Sequence, residues 1–179
     1  GSKEKFSKII VSAVRQIENG GEIDLNDIKL EKVQSEGVKD TELVNGIVFS
    51  KSRLSLDMPT KVDSARIALV NFPIEVRNPE LDAKISITSP SQLGGFIEEE
   101  ERVIKEMIEK IKMSGANVLL CQKGVDDFAQ YLLAKENIYA CRRVSRSDLE
   151  KLSKATGAKI VSNLNELDLS LLGEASSVE

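Results

Sequence analysis

Ala116-Asn117-Val118-Leu119-Leu120-Cys121, then Gln122-Lys123-Gly124, then Val125 to Lys135, then Ile138-Tyr139-Ala140-Cys141 closed by Arg142-Arg143-Val144: this stretch reads as strand, helix, strand. The first run is continuously apolar, short and bounded by Gly115 and Gly124, the pattern of a strand buried on both faces. Asp126 and Asp127 open the helix, where carboxylates suit the positive end of the helix dipole. Val125, Phe128, Ala129 and Leu132 recur at three- and four-residue spacing and are expected to form its inward face. A crossover of this kind forces parallel pairing and sets the fold class as α/β, with a helix on one face of a sheet.

Upstream, Ala65-Arg66-Ile67-Ala68-Leu69-Val70 is a second apolar strand, continuing through Asn71-Phe72-Pro73 to Ile74 and Val76, and Lys84-Ile85-Ser86-Ile87-Thr88 alternates as a third. Ser89-Pro90-Ser91-Gln92 then joins an N-cap serine, a proline at the first helical position and a glutamine three residues after the cap. The helix so announced should run to Ser114, with Gly115 as its cap, about 37 Å in all. Val103, Ile104, Met107, Ile108 and Ile111 make an apolar stripe along it, and Glu98/Arg102, Glu101/Lys105 and Glu106/Lys110 are acid-to-base pairs four apart. At the other end Leu93, Phe96 and Ile97 flank Gly94-Gly95, which allows a separate short helix or a loose tip. Those three apolar residues read either as a local cluster or as the exposed tip of a projecting arm.

Downstream, Ser147-Asp148-Leu149-Glu150 is a capping box opening a helix with Leu149, Leu152 and Ala155 inward and Gly157 as stop. Ile160-Val161 is the next strand, and residues 174–179 look like a severed linker. At the other end of the chain Phe6, Ile9, Ile10, Ala13, Val14 and Ile17 define an amphipathic helix over residues 3–18, stopped by Asn19-Gly20-Gly21. Ile28 to Val33 alternates as a half-exposed strand. Residues 35–41 read as a polar linker with a boundary near Gly37, and from Leu43 the pattern is β-rich around the Asn45-Gly46 turn signal.

Composition removes whole classes of function. The 179 residues fit one or two domains; a net charge of -4, 4% aromatics and no Trp argue against a general nucleic-acid binder. No apolar run reaches the 18 residues of a membrane span. Gly1-Ser2 looks like an expression scar, and no signal peptide is expected ahead of the charged first helix. The absence of histidine excludes Ser-His-Asp and Cys-His catalysis and His-containing zinc sites. Cys121 and Cys141, the only cysteines, lie inside apolar strands and are expected to be buried free thiols in a reducing compartment. Gly20-Gly21 and Gly94-Gly95 lack the surroundings of a phosphate loop.

Longer motifs carry a resemblance. Ser114-Gly115-Ala116-Asn117-Val118, Cys121-Gln122-Lys123-Gly124-Val125-Asp126-Asp127, Tyr131-Leu132-Leu133-Ala134-Lys135, Arg142-Arg143-Val144 and Lys154-Ala155-Thr156-Gly157-Ala158 look like the apical domain of group II chaperonins, of the archaeal thermosome kind. Asn78-Pro79-Glu80-Leu81-Asp82-Ala83-Lys84, Ile87-Thr88-Ser89-Pro90 and Leu172-Gly173-Glu174-Ala175 extend it outward. The resemblance implies a β-rich core with flanking helices and a long helical protrusion, the built-in lid, over about 77–115. It implies an intermediate-domain segment at 3–37, an apical domain at 38–175 and a truncated linker at 176–179.

Function follows from the same resemblance. It implies capture and enclosure of non-native polypeptides by a cytoplasmic, ATP-dependent double ring of chaperonin subunits. No catalysis and no cofactor are expected in this stretch, which should be monomeric; ATP and magnesium belong to the equatorial domain of the parent. The helix from Asp126 to Glu136 corresponds to the family's substrate helix, so Asp127, Gln130, Tyr131 and Lys135 become expected contacts for substrate polypeptide. Leu93, Phe96 and Ile97 become expected contacts of the protrusion tip. Read from the residues alone, without the resemblance, those four positions are more simply a solvated face. The rival reading is a small magnesium-dependent hydrolase holding its ion with Asp126 and Asp127, although adjacent acids at a helix start are far more often dipole partners.

Overall fold

Val62–Val70, Val118–Cys121, Tyr139–Cys141 and Ile160–Val161 form strands β1, β2, β3 and β4; β2, β3 and the second half of β1, Ile67 to Val70, are buried throughout, as apolar strands covered on both faces of a parallel sheet are. The sheet order is β3-β2-β1-β4, with parallel register Ile67↔Val118 to Val70↔Cys121, Val118↔Tyr139 to Leu120↔Cys141, and Leu69↔Ile160 with Val70↔Val161. The computed structural model describes residues 2–32, 34, 37, 40–76 and 90–179. They divide into two compact units, Gly1–Ser50 and Lys51–Glu179.

Three helices connect the strands of the second unit: α2, Pro90–Met113; α3, Asp127–Lys135; and α4, Arg146–Thr156. Right-handed crossovers place α2 and α3 over one face; the reversal of strand order after β3 carries α4 to the other. Ile104, Ile108 and Ile111 of α2 and Ala129 and Leu133 of α3 share one core with Ala68, Val70, Leu119, Cys121 and Ala140 of the strands. The helix predicted from the Ser89-Pro90 signal is continuous through Gly94-Gly95 and ends as expected, with Gly115 in the left-handed region at φ 87°.

Several expectations are corrected. The buried row under α3 is Val125, just ahead of the cap, with Ala129 and Leu133; Phe128 and Leu132 are only half-buried, on the next row round. That row faces α2, where Lys105 lies over the Phe128 ring. On α2 Lys105 pairs with Glu101 as expected, but the other two pairs shift: Arg102 joins Glu99 and Glu106 rather than Glu98, and Lys110 donates to Asn165. A guanidinium fork reaches carboxylates one turn to either side, which a four-residue rule does not count.

The cap of α4 is Ser145, two residues ahead of the expected Ser147: its hydroxyl accepts from the Asp148 backbone N–H at 3.1 Å and donates to the Asp148 carboxylate at 2.7 Å. Val144 and Leu149, both buried, occupy the two positions of a hydrophobic staple around that cap, so packing chooses the serine. Leu149 and Leu152 are inward, whereas Ala155 is exposed; Gly157 stops the helix at φ 77°. Residues 174–179, expected to be a linker, instead contribute to β5, Gly173–Val178, antiparallel to the first half of β1 from Val62↔Val178 to Ile67↔Gly173. The partner supplies the reason: that edge of β1 is otherwise unpaired before β4 begins, and backbone pairing there needs no strongly β-prone side chains.

In the first unit, α1 spans Ser2–Ile17 as the apolar spacing predicts and ends where Gly20 and Gly21 take φ 62° and 90°. The strand expected over Ile28 to Val33 does not form in residues 28–32, and none forms in residues 41–49. An alternating segment needs a partner edge, and Lys29 is turned instead to Glu31 at 2.7 Å and the Val48 carbonyl at 2.9 Å. The strand expected over Lys84 to Thr88, and the cap at Ser89, lie outside the described residues.

Candidate functional site

The outer face of α3 is built on a rigid floor. Asp126 caps the helix, its carboxylate accepting from the Phe128 backbone N–H at 2.8 Å. Gln130 Nε2 ties the first turn down, donating to the Val125 carbonyl and the Asp127 carboxylate, both at 3.0 Å. At the far end Asn137 takes φ 56° and the Ile138 N–H returns to the Leu133 carbonyl, so the chain drops directly into β3. Leu133 at 0% exposure and Ala129 at 0% fix the underside.

What this frame presents outward is Asp127, Tyr131 and Lys135, all exposed, at positions four apart and therefore in one row along the helix. Tyr131 is 60% exposed. Its ring stacks on Phe128 at 6.3 Å between centroids and 18° between planes, and Lys105 Nζ stands 5.4 Å from the Phe128 centroid on the α2 side. Lys112 Nζ holds Glu136 at 2.9 Å, which raises the lysine's affinity for its proton. The structure thus gathers Asp127, Gln130, Tyr131 and Lys135 on one helix. It adds Phe128 and Lys105, which the sequence reading missed; the signal was the three-residue step from Phe128 to Tyr131, which puts two rings side by side on a helix.

At the expected protrusion tip, Ile97 is 49% exposed and Phe96 half-buried; for Leu93 only the helical backbone is described. Asp126, one half of the rival metal pair, already serves as the helix cap, and no group of three or more potential metal ligands occurs among the described residues. Both thiols are buried donors: Cys121 to the Phe72 carbonyl at 3.2 Å and Cys141 to the Ser52 carbonyl at 3.3 Å. Burial pushes Cys121 up to about 11 and raises Cys141 as well, so neither is a thiolate near neutrality. No described helix is long and apolar enough to cross a membrane.

The sequence profile of the TCP-1/cpn60 chaperonin family matches residues 1–179. The chain belongs to that family. It is 49% identical over 177 residues to thermosome subunit alpha of Methanothermobacter thermautotrophicus and 52% identical over 179 residues to a thermosome subunit of Methanothermococcus thermolithotrophicus. In both cases the match covers 99% of this chain and 33% of the relative, so this chaperonin chain spans about a third of the length of the thermosome subunits it resembles. Its fold resembles the open-state monomer of a group II chaperonin from Methanococcoides burtonii, with a TM-score of 0.76 at 38% identity, covering 99% of this chain and 39% of that one.

Proposed function

We propose that this chain is the polypeptide-capturing part of an ATP-dependent group II chaperonin, with the outer face of α3 as the capture surface. The observation that carries the reading is the row Asp127, Tyr131, Lys135 beside the half-buried Phe128 ring, exposed on a helix whose other side is locked to the sheet. Apolar surface on a non-native chain gains about 25 cal/mol for each Å² it covers, before ordering costs, so two rings give weak, reversible and sequence-tolerant capture. Gln130 is held by the first turn and contributes a polar margin to the same face.

The long helix α2 with its exposed Ile97 supports a second part of the reading, that residues 77–115 form a lid arm whose tip, Leu93, Phe96 and Ile97, touches substrate or neighbouring lids. Residues 38–175 would then be the apical domain and 3–37 an intermediate-domain segment, in a cytoplasmic ring. ATP and magnesium would act in the remainder of the parent subunit, leaving binding as the whole activity of these residues.

The test is suppression of aggregation of a thermally unfolded protein, without ATP, by the native chain, a Tyr131→Ser variant and a Leu93, Phe96, Ile97→Ser triple variant. The expected result is protection by the native chain and the triple variant, and reduced protection by Tyr131→Ser. Loss only in the triple variant moves capture to the α2 end; no protection by any of the three overturns the reading.

A further inference from the structure

We infer that the α3 row selects extended polypeptide segments of the pattern basic, any, apolar, any, acidic. This rests on the capture reading above and adds the class of segment captured. From Asp127 to Lys135 the helix rises eight residues, about 12 Å. An extended chain covers that distance in about four residues, and its side chains at alternate positions lie on one face. A basic, an apolar and an acidic side chain at positions one, three and five therefore meet Asp127, Tyr131 and Lys135 together. A helical segment would need nine residues already folded to place the same three groups, which a non-native chain does not supply.

The charges on the row are available for this pairing. Asp127 uses one oxygen to accept from Gln130 Nε2. The neighbouring acid Glu136 is held by Lys112, so Lys135 does not turn to it, and Lys135 has no ion-pair partner among the described residues. Tyr131 keeps its outer ring face open because Phe128 backs the other side. The row is thus dipolar, negative at its N-terminal end and positive at its C-terminal end, so charge complementarity fixes the composition of the bound segment and which of its ends lies over Asp127; a segment with the order reversed fits with its chain running the other way.

Binding of fluorescein-labelled peptides containing Arg-Ser-Phe-Ser-Glu, Glu-Ser-Phe-Ser-Glu or Arg-Ser-Phe-Ser-Arg, followed by anisotropy at low salt, tests it. Exposed pairs are weak, so the mixed peptide should bind about threefold more tightly than either like-charged one. Asp127→Lys should switch the preference to the doubly acidic peptide, and Lys135→Glu, at the opposite end of the helix, to the doubly basic one. Equal binding of all three peptides, lost in Tyr131→Ser, overturns the charge pattern and leaves capture by α3 standing. Binding that Tyr131→Ser does not change overturns both.

Discussion

Helices α2 and α3 lie side by side on the same face of the sheet, α2 with ten charged side chains and α3 with two, and their outer surfaces differ in kind. On α2 the charges at the middle of the helix are closed on one another, Arg102 between Glu99 and Glu106 and Lys105 on Glu101, while Lys110 and Lys112 reach Asn165 and Glu136. On α3 the exposed acid and base stand eight residues apart with an aromatic ring between them, too far to meet. Charge count is therefore a poor guide to a binding face. Availability is what distinguishes the two helices, and spacing decides it.

The comparison breaks most severely if the floor beneath α3 is removed. Leu133, fully buried under the row, is expected to lose about 2–5 kcal/mol of stability as Leu133→Ala, read from urea unfolding, with capture lost in proportion to the unfolded fraction. A milder perturbation reaches the same floor through pH. Cys121 of β2 has its folded value raised to about 11, above an unfolded value of about 8.5, and Tyr139 of β3 is pushed up to about 12 by burial. Their contribution is full below the unfolded values and is lost as pH climbs through the folded ones. Urea midpoints should thus be flat from pH 7 to 8.5 and fall between pH 9 and 11, and a thiol reagent at pH 8 should label neither cysteine until the chain unfolds.

Smaller changes sharpen the contrast. Asp126→Ala removes the cap of α3 and should cost about 1 kcal/mol while leaving α2 untouched, measurable as faster amide exchange confined to the first turn of α3. Arg102→Ala removes two of the three ion pairs within α2, and neither the unfolding midpoint nor polypeptide capture should move measurably.

The sequence carried the parallel core well because its strands are apolar on both faces and its helices have strong stops at Gly115 and Gly157. The row Asp127, Tyr131, Lys135 was also readable, since helical spacing alone aligns it. What spacing could not supply was which neighbouring row points to the sheet: Phe128 and Ala129 differ by 100° round the helix, and only the position of α2 decides that Ala129 goes under and Phe128 to the side. The same limit explains Ser145 over Ser147, chosen by the burial of Val144 and Leu149, and β5, whose Gly-Glu-Ala-Ser-Ser-Val carries little strand propensity and forms because β1 offers an edge. In residues 28–49 the alternating signals were genuine, but no strand edge pairs with them among the described residues.

The most direct test of capture by α3 is to map backbone amide shifts of the chain on adding a permanently unfolded polypeptide, a small protein reduced and carboxymethylated. The predicted result is a contiguous set of shifts centred on Asp127, Tyr131 and Lys135, reaching Phe128 and Lys105 and sparing Glu99 to Arg102. Shifts confined to α1 or to the Gly94-Gly95 end of α2, with α3 silent, would contradict it.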